Sequence, residues 1–260
     1  MNATENSLDL GIGFSRYFDL VPALDRDACE SVFRIRHDVY CRDLGYEPVR
    51  EDGLETDEYD RHSLHCLLRT AGPEKVPVGC ARIVLARPED PSYPLPFERT
   101  CAATLDRSII DPARVPRERV TEVSRLAVLS QFRRRKGEEG RPVAIGDEDF
   151  GTILHSRFPF IPVGLYLGSI ALALHHGIDH LFMLTEPRLA LHFRKIGFVI
   201  DQIGGPVEHR GTRVPSLLRA EETVEGLRSN LRGMYEVINA SIVQAYASRA
   251  SAGVPISAGA

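Results

Sequence analysis

The chain has 260 residues, of which 43% are hydrophobic and 26% charged, and its formal net charge at pH 7 is −4. These totals are typical of one large globular domain, and the negative balance argues against a nucleic-acid-binding protein. No apolar run approaches the roughly 20 residues that a membrane span requires, and no basic segment followed by an apolar run predicts a signal peptide.

The cysteines give an expectation about the redox environment. Five of them lie in the first 101 residues, namely Cys29, Cys41, Cys66, Cys80 and Cys101. Their number is odd and none forms a CxxC pair. This pattern favours reduced thiols over a disulfide framework, because disulfide-stabilised domains carry paired cysteines. We therefore expect a cytoplasmic protein.

The first half of the chain is predicted to alternate strands and helices. Residues 14–21 are predicted as the first strand. Apolar residues then recur at helical spacing over about residues 25–44, which predicts an amphipathic helix. An acidic loop rich in turn residues follows. Residues 64–70 and 77–86 are predicted as two strands joined by a short turn.

The second half continues the alternation after a proline-rich surface excursion at residues 88–119, which is predicted to hold a short helix at most. The predicted elements are a strand at 121–129, a helix that is apolar all round at 162–176, a strand at 178–185, a helix at 187–196 and strands near 198 and 213. This order predicts an α/β fold, with a mixed β-sheet that carries helices on its faces.

The last predicted element is one long amphipathic helix at residues 221–246, in which apolar residues recur every three or four positions. Its apolar stripe must cover either the core or a partner, and a homodimer through this helix is one of the two expectations. We divide the chain into a domain at 1–219, a C-terminal helix at 220–247 and a disordered tail at 248–260, because the tail is small and polar.

One charged residue stands out on the first amphipathic helix. Arg36 lies on the apolar side of that helix, and a buried guanidinium needs carboxylate partners because an unpaired buried charge is costly. The acidic segment ETDEYD supplies candidates, of which Asp57 and Asp60 are the ones we expect to turn inward. The alternatives are a guanidinium that extends to water and a solvated acidic loop.

Three further charged residues interrupt predicted strands. Arg82 lies within residues 77–86, and Glu122 and Arg125 lie on either side of Ser124 in the next long strand. Glu122 and Arg125 are three apart, so a regular strand would point them to opposite faces. A β-bulge between them would change this and would free backbone N–H groups for a substrate carbonyl. Both a structural ion-pair network and a binding site fit this pattern.

A basic run follows the same strand. It comprises Arg133, Arg134, Arg135 and Lys136. A run of like charges in a loop is either a solvated surface or a landing site for phosphate or for an acidic carrier protein.

Four segments in this order, FRIRHDVYCRDLGYEP, DGLETDEYDRHSLH, VGCARIVL and EVSRLAV, resemble acyl-homoserine-lactone synthases and N-acyl amino acid synthases. They resemble most closely the acyltransferases associated with exosortase and PEP-CTERM systems. The resemblance covers about residues 14–218 and implies the fold of the GCN5-related N-acetyltransferases (GNAT), with a bulged central strand. Matched residue by residue, the active-site cluster that it implies comprises Arg36, Asp57, Asp60, Arg82, Glu122 and Arg125.

The resemblance implies an enzyme that transfers a long-chain acyl group from a thioester to the amine of an amino acid. In this interpretation Glu122 is the general base that takes the proton of the amine. Arg82 and Arg125 bind the substrate carboxylate, and Asp57 and Asp60 orient the amine. Arg36 holds the acidic loop on the core.

The bulged strand is expected to supply further substrate contacts at Ser124, Leu126 and Val128, with backbone N–H groups near the last two holding the oxyanion. Acetyl-CoA enzymes of this fold have a glycine-rich loop after that strand, whereas this chain has QFRRRKGEEGR, with Gly137 as its single early glycine. We therefore expect acyl carrier protein rather than acyl-CoA as donor, with no tightly bound cofactor and no metal. The alternatives are a lactone-type signal synthase, which uses S-adenosylmethionine, and a non-catalytic module that binds an acylated carrier.

Overall fold

A mixed β-sheet of eight strands forms the centre of the protein, whose computed structural model describes residues 10–133 and 159–253. Its strands are β1 (Phe18–Pro22), β2 (Ser63–Thr70), β3 (Pro77–Leu85), β4 (Val120–Val128), β5 (His180–Thr185), β6 (Ile200–Gln202), β7 (Val207–Glu208) and β8 (Thr212–Arg219). They lie in the order β1-β2-β3-β4-β5-β8-β6, with β7 paired to β8. The pair β4–β5 is parallel, and the other pairs are antiparallel.

Helices cover both faces of this sheet. They are α1 (Leu10–Tyr17), α2 (Arg26–Arg36), α3 (Pro96–Thr100), α4 (Phe160–His175), α5 (Pro187–Lys195), α6 (Ala220–Gly226) and α7 (Ser229–Ser251). Helix α4 is buried over most of its length because it is apolar all round, and it packs with α1 and α7 on one face. Helix α2 packs on the opposite face, against alternate residues of β2 and β3. The predicted α/β architecture is confirmed.

The first predicted strand was wrong over residues 14–17. These residues belong to α1, and the strand begins at Phe18. Leu10 and Phe14, four residues apart, share the buried side of α1 in the core with α7. A short apolar run does not by itself distinguish a strand from a helix that packs with one side, because the two differ in period only over longer stretches.

The helix predicted at residues 25–44 is confirmed, but it changes type along its length. The side chain of Asp25 caps it by accepting a hydrogen bond from the N–H of Ala28 at 2.8 Å. After Arg36 it continues as a π-helix over His37–Asp43. The wider turn carries the chain back toward the sheet, where Tyr40 contacts the central strand.

The C-terminal helix is interrupted, contrary to the prediction of one element. Leu227 adopts an extended conformation between α6 and α7. Helix α7 then runs to Ser251, so the predicted disordered tail at 248–260 is helical at its start, and residues 254–260 lie outside the described residues. The apolar stripe of α7 is buried within this chain against α1 and α4.

We therefore expect Leu231→Glu and Ile238→Glu to unfold the protein rather than to yield a folded monomer. Both side chains are almost fully buried, at 2% and 0% exposure, and a buried unpaired carboxylate is strongly destabilising. Circular dichroism and size-exclusion chromatography measure the outcome. Val237→Glu is the matched control, because Val237 is 37% exposed on the same helix. A folded, monomeric Ile238→Glu variant would show that the stripe serves a dimer instead.

All five cysteines are free and buried. Burial raises the pKa of the Cys80 thiol to about 12, which disfavours the reactive thiolate. Within residues 10–133 and 159–253, no helix has the length and apolar character needed to cross a membrane.

Candidate active site

The two parallel strands at the centre of the sheet diverge and leave a cavity between them. Strands β4 and β5 pair from Val120 with His180 to Glu122 with Phe182, and the described pairing ends there. The cavity has a volume of about 330 Å³. From β4 it is lined by Glu122, Val123, Ser124, Arg125 and Leu126, and from β5 and the start of α5 by Met183, Leu184, Thr185, Glu186 and Leu189.

A β-bulge in β4 shapes one wall of this cavity, as the sequence predicts. Cys80 of β3 faces Ala127 and Arg82 faces Ser124, so one residue of β3 lies opposite two residues of β4. The two residues opposite Ala81 are Arg125, whose φ of +50° is in the left-handed region, and Leu126. The Tyr40 hydroxyl donates to the carbonyl of Leu126 at 2.9 Å and fixes the bulge. The bulge brings Arg125 and Glu122 to the same cavity.

Arg36 joins the acidic loop to the core. Its side chain is fully buried, its Nε donates to Glu55 Oε2 at 2.5 Å, and its two Nη atoms donate to the two carboxylate oxygens of Asp60 at 2.6 and 3.0 Å. Burial by itself would raise the pKa of Asp60, but the hydrogen bonds and charge of Arg36 outweigh it and lower that pKa. Arg36 does not line the cavity, so it positions other residues and does not contact a substrate.

Arg82 lines the cavity and connects the acidic loop to β4. Its Nη1 donates to Asp57 Oδ1 at 2.6 Å and to Asp60 Oδ1 at 3.1 Å. Its Nε donates to the hydroxyl of Ser124 at 3.1 Å. The side chain is almost fully buried, so these bonds satisfy a charge that would otherwise be costly.

Arg125 completes the network from the bulge. Its Nε donates to Glu55 Oε1 at 3.3 Å, and its Nη2 donates to Asp57 Oδ2 at 3.1 Å and to Glu47 Oε1 at 3.5 Å. Glu55 therefore bridges Arg36 and Arg125 from a fully buried position. The three predicted arginines and both predicted aspartates belong to one continuous ion-pair network.

Glu122 is set apart from this network. It is buried, and it forms no ion pair within the described residues; its Oε2 accepts a hydrogen bond from the backbone N–H of Phe97 at 2.6 Å. Burial raises the pKa of Glu122 to about 8, against the partial opposition of that hydrogen bond and of the charges of Arg82 and Arg125. A carboxyl group with a pKa near neutrality exchanges protons readily at physiological pH.

The other predicted site residues divide into two groups. Asp57, Ser124 and Leu126 line the cavity with Glu122. Asp60 and Val128 do not: Asp60 is held below the cavity by the arginines, and Val128 pairs with Gly79 and packs in the core. The side chain of Val128 is therefore not available for substrate binding.

The basic run is described only at its first residue. Arg133 donates to the carboxylate of Asp43, and its side chain is mostly buried, so it holds this loop to the end of the π-helix. Arg134, Arg135 and Lys136 lie outside the described residues.

The sequence did not identify several residues of the site. Glu47 and Glu55 complete the ion-pair network, and His209, Arg210 and Arg213 line the cavity from the β7–β8 hairpin. The segment HRGTR has one histidine and two arginines around a glycine. This pattern could have indicated that the hairpin contributes charged side chains to a site. The carboxylates carried no such signal, because the acidic loop has no periodicity that separates inward from outward positions.

Apolar side chains form the remaining part of the cavity wall. They include Val123, Tyr166, Met183, Leu184 and Leu189, from β4, α4, β5 and α5, and the rings of Tyr40, Tyr46, Tyr59 and Pro96 also line it. The site thus combines a charged floor, a buried carboxyl group of raised pKa and an apolar wall in one cleft.

Two comparisons at the level of sequence bear on this site. Residues 35–141 match the model of an acetyltransferase (GNAT) domain. An acyl-homoserine-lactone synthase of Rhizobium radiobacter is 25% identical over 178 residues, which cover 68% of this chain and 71% of that protein.

Solved structures share the fold at lower identity. TofI, in a ternary complex with an inhibitor and MTA, has a TM-score of 0.55 at 19% identity, over 80% of this chain and 95% of TofI. MesI, a CoA-dependent acyl-homoserine lactone synthase, has a TM-score of 0.55 at 18% identity, over 83% and 95%. FeeM, an N-acyl amino acid synthase from uncultured soil microbes, has a TM-score of 0.51 at 15% identity, over 81% and 94%. The GNAT fold that the motifs imply is confirmed.

The expected preference for acyl carrier protein over acyl-CoA is not supported. MesI and BjaI, both similar in fold to this chain, are CoA-dependent synthases. The absence of a glycine-rich loop was the reason for that preference, and most of this loop lies outside the described residues. Acyl-CoA and acyl carrier protein both present the acyl group as a phosphopantetheine thioester.

Proposed function

We propose that this chain transfers a long-chain acyl group from a phosphopantetheine thioester to the amine of an amino acid, a reaction supported by the match of residues 35–141 to the model of an acetyltransferase (GNAT) domain and by the similarity to an acyl-homoserine-lactone synthase. The observation that carries this proposal is the buried Glu122 carboxyl, with a pKa of about 8, beside a fixed charged network in one cleft. The amine nitrogen attacks the thioester carbonyl carbon, the C–S bond breaks, and an amide and a free thiol result.

Glu122 takes the proton that the amine loses. An amine attacks only in its neutral form, and a carboxylate whose conjugate acid has a pKa near 8 is a much stronger base than an exposed glutamate. The proton then passes to the sulfur of the leaving thiolate, so the carboxylate is restored in each cycle. This role requires Glu122 to be ionised when the amine binds, which makes the rate increase as the pH approaches 8.

The bulge supplies the group that stabilises the oxyanion. We assign this role to the backbone N–H of Leu126, because Leu126 is part of the bulge and lines the cavity, whereas Val128 does not. Asp57 orients the amine from the floor. Arg36 and Asp60 act through the residues that they hold, because both lie below the cavity.

The apolar wall receives the acyl chain. Burial of methylene groups is favourable by about 0.8 kcal/mol each, so a wall of this kind favours long chains over acetyl.

A second candidate is a lactone-type signal synthase, with S-adenosylmethionine as the amine. The similarity to the synthase of Rhizobium radiobacter, over two thirds of the chain, is the observation that favours it. The third candidate, a module that binds an acylated carrier without turnover, would leave the raised pKa of Glu122 without a use. The association with exosortase and PEP-CTERM systems and the cytoplasmic location stay predictions from the sequence motifs and the cysteines.

Mass spectrometry of lipid extracts from a host that expresses the full chain tests this function, followed by assays with purified palmitoyl-CoA and palmitoyl-acyl carrier protein. We expect a new N-acyl amino acid that is absent with Glu122→Gln. Glu221→Gln, an exposed change on α6, is the matched control and should leave the product unchanged. A lactone would support the second candidate. Folded protein that gives no product with either donor would refute both enzyme functions.

A further inference from the structure

The β7–β8 hairpin contributes side chains to the cavity that the proposed roles do not use. His209, Arg210 and Arg213 all line it, from the turn and the first residues of β8. Arg210 and Gly211 adopt positive φ values of +53° and +95°, which makes the turn tight. The hairpin extends past the last residue of β5, Thr185, which pairs with Val214. Its tip therefore stands at the end of the cleft where β4 and β5 diverge.

Two of these side chains are already held by carboxylates. Arg210 donates to Glu47 and lies 5.3 Å from the ring centre of Tyr46. Arg213 donates to Glu186 at 3.0 Å and to the carbonyl of Arg210 at 3.3 Å. Both guanidinium groups are thus fixed at the wall of the cavity by their carboxylate partners.

His209 differs from them because its imidazole has no hydrogen-bond partner within the described residues. It is partly buried and faces the same cavity. Arg125 also keeps a free donor: Nε and Nη2 carry its hydrogen bonds, and Nη1 has none within the described part of the chain. Arg82, in contrast, already holds two aspartates and a serine hydroxyl.

The charges around His209 are predominantly positive. Burial lowers its pKa, and Arg210, Arg125 and Arg213 lower it further, while the charge of Glu47 opposes them. These groups come from the hairpin, β4, β8 and the loop after the π-helix, and Glu186, which pairs with Arg213, also lines the cavity. The arginines are paired with carboxylates, but the imidazole of His209 and Nη1 of Arg125 keep donors without a hydrogen-bond partner within the described residues. An anion at this position would be attracted by all three arginines.

We propose that His209 and the free Nη1 of Arg125, backed by Arg210 and Arg213, bind the carboxylate of the acceptor amino acid. This inference rests on the proposed function, and it moves carboxylate recognition from Arg82 to the hairpin. The substrate carboxylate accepts one hydrogen bond from the His209 imidazole and one from Nη1 of Arg125. The amine of the same molecule then points toward Asp57 and Glu122. The site therefore selects amino acids over amines that lack the carboxylate.

The binding has a proton signature that does not depend on turnover. A bound carboxylate stabilises the imidazolium form, so the pKa of His209 rises and binding takes up a proton. NMR of the full chain with ¹⁵N-labelled histidine measures the pKa of the His209 imidazole with and without ligand. The His209 resonances are assigned by comparison with the His209→Gln variant. The probes are an equimolar mixture of the 20 amino acids, the mixture of their carboxamides, and 4′-phosphopantetheine.

We expect the amino acid mixture to shift the His209 resonances and to raise its pKa, and the carboxamides to do neither. Resonances that do not respond to the amino acids would overturn the proposal. A response to 4′-phosphopantetheine but not to the amino acids would also overturn it, and would assign the hairpin to the phosphate of the donor.

Kinetics separate this inference from the proposed function. His209→Gln should raise the KM for the amino acid about tenfold or more, because it removes a charged hydrogen bond, with a smaller effect on kcat. His175→Gln, at the exposed end of α4, is the matched control. If the wild-type protein acylates amino acids and their carboxamides equally well, the carboxylate site is refuted while the proposed function stands. If no turnover occurs, the NMR titration still decides the site.

Discussion

Glu122→Gln is expected to lower the rate of acyl transfer by about 100-fold or more, the usual contribution of a general base. The amide keeps the shape of the side chain, and its carbonyl oxygen can still accept the hydrogen bond from the N–H of Phe97. It cannot take the proton of the amine. The measurement is kcat with saturating donor and amine, beside thermal unfolding to show that the fold is retained.

The same substitution has an expected effect on stability that depends on pH. The pKa of Glu122 is about 8 in the folded protein, above its ordinary value near 4.5, so folding takes up a proton between these values. The corresponding stability is fully present below about pH 4.5 and is lost as the pH rises through 8. Glu122→Gln does not titrate and should therefore gain stability relative to the wild type between pH 5 and pH 8.5.

Two results would contradict this account of Glu122. Equal kcat for the variant and the wild type would exclude the residue as the base. A stability difference that does not change between pH 5 and pH 8.5 would show that the carboxyl group is not protonated in the folded protein. The two tests are independent, because the second needs no substrate.

Arg36→Met is expected to lower the free energy of unfolding by about 3–5 kcal/mol. The change preserves much of the apolar stem but leaves Glu55 without one partner and Asp60 without a bidentate one, both in buried positions. We expect the acidic loop to detach and the cleft to lose its floor. Urea denaturation at pH 7 measures the loss.

Matched variants isolate the cause. Arg26→Met removes an exposed ion pair with Glu30 on the same helix and should cost less than about 1 kcal/mol. Arg36→Lys keeps the positive charge but loses the planar guanidinium that binds Asp60 with two hydrogen bonds. Its loss in free energy of unfolding should therefore lie between those of Arg26→Met and Arg36→Met. A loss below 1 kcal/mol for Arg36→Met would mean that the network contributes little to the fold and is retained for the site alone.

The elements that could be predicted from the sequence are those with a consistent hydrophobic pattern over their whole length. Helix α4 is apolar all round, α2 has one apolar side over three turns, β2 is rich in apolar residues, and β3 is rich in apolar and β-branched residues. The prediction failed at residues 14–17 and at Leu227, where a few residues decide between two conformations and packing against α4 and α7 makes the choice. Local sequence does not contain that information.

The site followed a similar division. Arg82, Glu122 and Arg125 were identifiable because a charge inside a strand contradicts its surroundings and needs an explanation. Glu55 could not be identified from the sequence, because it lies in a loop among other carboxylates. Only its contact with Arg36 in the structure distinguishes it. His209 was missed for a further reason: it reaches the cavity through a hairpin almost 90 residues along the chain from β4.

Arg125 has a consequence for attempts to make this protein more stable. Its backbone is in the left-handed region, where a side chain costs about 1 kcal/mol relative to glycine. A thermostabilisation scheme that ranks substitutions by backbone preference would therefore select glycine here, and would remove the guanidinium that connects Glu55, Asp57 and Glu47. The most strained residue of the strand is thus one that engineering should leave alone, and heat-resistant variants should be sought in the outer helices instead.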